Sequence, residues 1–117
     1  MRLLDTSVLI DNVRKGVFEE GAISVITLIE FLRGVDPRKR QRVKELLENS
    51  YIVLGIDNKV ILEYCRLYDE LRKRGNLLPD ADLLIAATAI ANNALLVTMD
   101  KDFLRLRDLG LRLELRL

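Results

Sequence analysis

Histidine is absent from this sequence and cysteine occurs once, at Cys65. Without histidine the chain lacks the usual general base near neutral pH and the commonest transition-metal ligand, which excludes serine-histidine triads, cysteine-histidine proteases and histidine-zinc sites. One cysteine can form neither an internal disulfide nor a thiolate zinc site. No apolar run approaches the ~18 residues of a membrane span, so no membrane partner is expected. Glycine and proline are scarce, at 6 and 2 residues, and no linker, repeat or low-complexity stretch divides the chain. The opening Met1-Arg2-Leu3-Leu4-Asp5 reaches an acid too soon for a signal peptide, which places the protein in the cytoplasm.

Neither sign of charge dominates. Nineteen basic and 18 acidic side chains leave a formal net charge of +1, which excludes a general polycation that coats nucleic acid. Any contact with a polyanion has to come from local clusters of Lys and Arg. Half of the 117 residues are hydrophobic. A chain of this length removes roughly two-thirds of its unfolded surface on folding, enough for one self-supporting domain over residues 1–117.

Short apolar runs at Leu3-Leu4, Ala22-Ser24, Tyr51-Leu54 and Ala94-Val97 lack alternation and read as strands buried on both faces. Helical patterns lie between them, which predicts an α/β sandwich around a mainly parallel sheet. Asp36-Pro37 predicts an N-cap and first-turn proline for a helix reaching Glu48, with Val43, Leu46 and Leu47 inward. Asp57 starts the next helix, whose apolar stripe comprises Val60, Ile61, Tyr64, Leu67, Tyr68 and Leu71 and whose end is Arg72-Lys73-Arg74-Gly75. From Asp82 to Ala91 almost no polar side chain interrupts the pattern, so this helix is central. The final Leu-Arg-Leu-Glu-Leu-Arg-Leu alternates strictly, as an edge strand with one wet face.

With histidine and thiolate chemistry excluded, the acids become the candidates. Asp5 follows the first strand, at the end where open α/β sheets bind ligands, although it can equally cap the next helix. Glu30 shares a narrow polar stripe with Thr27 and Arg33, opposite a core stripe of Val25, Leu28, Ile29 and Leu32; that stripe is either a cleft wall or a solvated strip. Asp82 opens the central helix above Ala86 and Ala89, and Asp80 is the better placed cap. Asp100 and Asp102 follow the strand Leu95-Leu96-Val97-Thr98, and one of them can cap the segment from Phe103. Should these acids converge, each pair at ~5 Å repels by about 3 kcal/mol at an effective dielectric of 20, so the cluster needs a cation or a proton. Oxygen ligands alone suit Mg²⁺ or Mn²⁺, and such an ion would serve phosphodiester hydrolysis by activated water.

Four segments together, Leu3-Leu4-Asp5-Thr6-Ser7-Val8-Leu9-Ile10, Ser24 to Gly34 around Glu30, Asp82 to Ala89, and Leu96 to Phe103, resemble the PIN-domain family and within it the VapC-type toxin ribonucleases. The resemblance covers nearly the whole chain. It implies a PIN-like α/β/α sandwich with four to five strands, bound Mg²⁺ or Mn²⁺, and cleavage of RNA to a 5′-phosphate and a 3′-hydroxyl. Asp5, Glu30 and Asp82 match the first three family acids. Asp100, directly after the strand, is the first choice for the fourth, and Asp102 the second. Thr6 and Thr98 match small hydroxyl positions that orient a carboxylate or water. A homodimer and a VapB-type antitoxin are likewise implied. An RNA-processing nuclease outside a toxin system and a non-catalytic interaction module are the alternatives. A haloacid-dehalogenase phosphatase would carry a second aspartate where Ser7 stands.

A basic run, Arg38-Lys39-Arg40 with Arg42 and Lys44, opens its helix where positive charge opposes the dipole. Local stability does not call for it, so it reads as a solvated face, an RNA-backbone contact or a site for an acidic partner.

Overall fold

The computed structural model describes all 117 residues. In chain order the elements are β1 (Arg2–Leu4), α1 (Thr6–Lys15), β2 (Ala22–Ser24), α2 (Val25–Arg33), α3 (Arg40–Ser50), β3 (Ile52–Leu54), α4 (Asn58–Lys73), α5 (Asp80–Ala91), β4 (Leu95–Thr98), a 3-10 helical stretch Lys101–Leu109, and β5 (Arg112–Leu115). The five strands form one sheet in the order β3-β2-β1-β4-β5. Every neighbouring pair is parallel.

The strand period of two sorts the core into two layers. Leu3, Ala22 and Leu96 point to one face, where α4, α5 and the 3-10 stretch supply Val60, Leu67, Ala86, Ala89 and Phe103. Leu4, Ile23 and Val97 point to the other, against Val8 and Leu9 of α1, Leu28 and Leu32 of α2, and Leu47 of α3. The chain builds leftward from β1 to β2 and β3, then returns to add β4 and β5 on the other side. The boundary between β1 and β4 is therefore the switch point, where the connections diverge and leave a crevice at the carboxyl ends of the strands.

Several sequence expectations need correction. β3 is an edge strand with Ile52 exposed, because no strand covers its outer side. The helix expected from Asp36-Pro37 begins at Arg40. Asp36 instead holds a turn, accepting from Arg38 N at 2.9 Å, and the bonds Lys39 N to Asp36 O and Arg40 N to Pro37 O have the tighter three-residue spacing. Leu46 and Ile61 face solvent beside the buried Leu47 and Val60. In α2, Ile29 is exposed and Thr27 fully buried, which rotates the expected stripe. Asp80 is the first residue of α5 and does not cap it; its Oδ1 accepts from Tyr64 Oη at 2.6 Å.

The basic run is also more structural than its charges imply. Arg40 donates to carbonyls at and just beyond the end of α2, Leu32 O at 2.9 Å and Val35 O at 3.0 Å. Arg38 pairs with Asp36 and Lys44 with Glu48. Lys39 and Arg42 are left exposed.

A second charged group ties the two ends of the chain together. Glu19 accepts from Arg2, Asn12 and Arg116, while Glu114 of β5 accepts from Arg2 and Arg116. Hydrogen bonding from Arg116, Asn12 and Arg2 outweighs burial and pulls the Glu19 carboxyl down to about 2 from its ordinary 4.5. A depressed carboxyl stabilises the fold at pH values above 4.5, and this stabilisation fades as pH falls toward 2. Glu19→Gln should therefore flatten the loss of stability between pH 5 and about 2.5, as read from urea midpoints at each pH. Gly21 precedes β2 where an added Cβ would stand 2.9 Å from the Arg2 carbonyl oxygen. Gly21→Ala should lower stability by about 1–3 kcal/mol, measured in the same unfolding experiment.

Candidate metal centre

Four different elements deliver acids to the crevice at the switch point. Asp5 leaves β1 and is fastened there by its own backbone, whose N–H donates to Val97 O of β4 at 3.0 Å. Its side chain is buried and does two jobs. Oδ1 accepts from Val8 N at 3.0 Å, capping α1, and from Ser7 Oγ at 2.6 Å, while Oδ2 accepts from Thr98 Oγ1. The capping role and placement at the strand exit thus coexist. A carboxylate offers about four acceptor sites, so Asp5 retains roughly one for a further ligand. Burial outweighs these hydrogen bonds and, with the Asp100 charge, raises the Asp5 carboxyl above its ordinary value.

Thr98 is the link between β4 and β1. While donating to Asp5, its Oγ1 accepts from Asp100 N at 2.9 Å. Met99 N donates to Ser7 Oγ at 3.2 Å, closing a second bridge between the two strand exits. Asp100 then caps the 3-10 stretch, its Oδ1 accepting from Asp102 N at 2.9 Å. Asp102 lies exposed two residues further on, in the first turn of that stretch, 3.4 Å from Arg105.

Glu30 enters from α2, whose start is capped by the buried Ser24 through Ile26 N at 2.8 Å. Its Oε1 accepts from Thr6 Oγ1 at 2.6 Å, and Thr6 lies 3.1 Å from the buried hydroxyl of Thr27. The Arg33 guanidinium stands 3.7 Å from Oε2 with its side chain 74% exposed, a loose contact of little energetic weight. The polar stripe read from the sequence includes Thr27 without a role for it, and Ser7 has none there either. A threonine at the buried edge of an apolar helix is the signal that could have marked the first.

Asp82 sits in the first turn of α5, half-buried. Its carboxyl is pushed up to about 6, first by burial and then by the charges of Asp100, Glu30, Asp5 and Asp102, in that order. Asp82 thus feels the charges of all four other acids singled out in the sequence, that of Asp102 most weakly. No three of them close into a preformed metal cage. The arrangement is an open cleft of oxygen donors whose negative charge is met only at its rim, by Arg33 and Arg105. Such a donor set fits a hard divalent ion that keeps several of its waters, and it does not fit zinc or copper.

Comparison with known proteins follows the same lines. The PIN domain family matches residues 2–109. Ribonuclease VapC1 of Methanocaldococcus jannaschii is 43% identical over 115 residues, covering 95% of this chain and 85% of that relative. Ribonuclease VapC1 of Rickettsia felis is 31% identical, covering 92% and 91%. Among solved structures, VapBC-1 from nontypeable Haemophilus influenzae superposes with a TM-score of 0.83 at 26% identity, over 97% of this chain and 96% of that one. VapBC2 from Rickettsia felis, bound to a DNA fragment from its promoter, gives 0.83 at 27% identity, over 98% of each. By sequence and by the all-parallel sheet that carries these acids, this chain belongs to the PIN-domain family.

Proposed function

We propose that this protein is a metal-dependent endoribonuclease and the toxin half of a VapBC-type toxin-antitoxin pair. The observation that carries the reading is the meeting of Asp5, Glu30, Asp82 and Asp100 in one field at the β1–β4 switch point, with Asp82 pushed up to about 6. Relatives named as VapC ribonucleases and structural neighbours solved as VapBC assemblies support it. No helix is long and apolar enough to cross a membrane. On this reading the 117 residues act as one nuclease domain, RNA is the substrate, a VapB-type antitoxin and a second copy of the chain are the protein partners, and the site of action is the cytoplasm.

Asp5, Glu30, Asp82 and Asp100 would hold Mg²⁺ or Mn²⁺. When bound, a divalent ion supplies Lewis-acid chemistry: water becomes a nucleophile near neutral pH and charge on the leaving oxygen is offset. The chain does the positioning. Thr98 and Ser7 hold the Asp5 carboxylate at fixed orientation, and Thr6 holds that of Glu30. Because these donors are neutral hydroxyls, they orient the carboxylates without cancelling the charge that attracts the cation. Asp82, pushed up by burial and by the charges of the other acids, is an acid whose ionised form a bound cation would favour. Of the two acids after β4, we assign the fourth ligand to Asp100, since Asp102 faces solvent beside Arg105.

Purified protein should cleave single-stranded RNA with Mg²⁺ or Mn²⁺ and lose that cleavage in EDTA. Asp5→Asn should be inactive yet folded, because asparagine caps a helix as well as aspartate does. Cleavage that survives full chelation, or wild-type turnover by Asp5→Asn, would overturn the nuclease assignment. Induced expression in growing cells should arrest translation, and unaffected growth at verified protein levels would favour RNA processing.

The raised Asp82 carboxyl makes a separate prediction about stability. A carboxyl whose folded value is about 6 against an ordinary 3.8 costs stability as pH rises through that window, and the cost is complete above about 6. Metal-free Asp82→Asn should therefore melt higher than wild type at pH 7.5 and equal to it near pH 3.5. Added Mn²⁺ should raise the melting temperature of wild type and not of the variant.

A further inference from the structure

The acids do not stand alone on the outer face of α1 and α2. A groove of about 250 Å³ runs from Glu30 down between the two helices, with Ile10 and Val13 on one wall and Phe31 and Val35 on the other. Arg14 also lines it. The Arg33 guanidinium lies outside the lining, 3.7 Å from the Glu30 carboxylate that belongs to it. Arg14 belongs to no ion pair, unlike its neighbour Lys15, which holds Asp11 at 3.0 Å, and Arg33 makes only its 3.7 Å contact. Half of Val13 is exposed, and Phe31 is only partly covered by the core beneath it.

An aromatic ring and an aliphatic wall between two under-used guanidinium groups make an environment matched to one nucleotide. The π-face accepts any base, while the arginines accept the phosphates on either side. Continuity with the acids matters as much as composition, since Glu30 lines the groove, accepts at 2.6 Å from Thr6, the neighbour of Asp5, and places its charge on Asp82. A strand whose scissile phosphate lies at the acids would carry its next residue directly into the groove. The volume admits a base and a sugar and leaves no room for a duplex.

We infer that the α1–α2 groove is a subsite for the nucleotide flanking the scissile phosphate of a single-stranded RNA, with Phe31 under the base and Arg14 and Arg33 on the phosphates. The inference rests on the ribonuclease reading above. It adds the strand's path and explains how an overall neutral chain grips a polyanion locally.

Binding can be read apart from cleavage. A fluorescein-labelled random-sequence 10-nucleotide RNA, titrated in EDTA and followed by anisotropy, reports affinity with no metal present. Arg14→Ala, Arg33→Ala and Phe31→Leu should each weaken binding by about 5- to 10-fold, leucine being chosen because it preserves the packing beneath the ring. Each arginine variant should also reduce the slope of log affinity against log salt by about 0.7. Arg72→Ala, an exposed α4 residue distant in the chain, should change neither. A 4-thiouridine RNA irradiated on the wild type should cross-link to α1 or α2 peptides containing Val13 or Phe31.

Wild-type affinity in all three variants, once circular dichroism shows them folded, would overturn the subsite, as would cross-links confined to other surfaces. If those variants bind RNA normally but fail to co-purify with a co-expressed VapB-type antitoxin, the groove is a protein site and the inference is wrong. Failure of the ribonuclease reading looks different: the wild type itself would then neither bind the RNA in EDTA nor cleave it with Mn²⁺.

Discussion

Repulsion among carboxylates at the carboxyl ends of β1 and β4 is the constraint around which this molecule is arranged. Acidic groups in a partly buried crevice are costly unless a cation or a proton relieves them, and here the relief is incomplete: Asp82 is pushed up to about 6. The surrounding structure holds the acids against that repulsion with neutral donors. Ser7, Thr98 and the Val8 amide hold Asp5, and Thr6 holds Glu30. Arginine in those places would have stabilised the protein and removed its attraction for a divalent ion.

The parallel sheet makes this arrangement possible. Reversing direction at β1 leaves the β1–β4 boundary uncovered at one end, and two strand exits carry acids there. The nearly all-apolar α5 then brings Asp82 in at its first turn. Its alanines, Ala86 and Ala89, are fully buried and permit close approach to the sheet. Stability and the proposed chemistry are thus built from separate materials. Two apolar layers and the Glu19–Arg2–Arg116–Glu114 network support the fold, while the crevice concentrates unrelieved negative charge.

Positive charge is distributed with similar economy. Of the basic run, which the sequence left open between a solvated face, an RNA-backbone contact and a site for an acidic partner, Arg40 closes the end of α2 and Arg38 and Lys44 pair locally. The cations left beside the acids are Arg33 and Arg105, with Arg14 in the adjoining α1–α2 groove, and none of them belongs to that run. A net charge of +1 is compatible with nucleic-acid chemistry when a few guanidinium groups stand at the right edge of one cleft.

What the sequence determined by itself was the type of chemistry and most of the elements. The lack of histidine confined the candidates to carboxylates, the two-faced apolar runs marked β1, β2 and β4, and Asp57 marked the start of α4. These features are local, set by residue type and by periods of 2 and 3.6 along the chain. Tertiary structure decided which neighbours a residue meets. Ile29 and Thr27 differ by two positions on one apolar helix, and only the packing of that helix buries the hydroxyl, beside Thr6 of α1, and leaves the isoleucine exposed. Asp100 and Asp102 follow the same strand, and only the turn into the 3-10 stretch holds one over the crevice and turns the other toward Arg105. The sharing of one electrostatic field by acids up to 97 residues apart is a property of sheet order and helix crossing, which no linear pattern encodes.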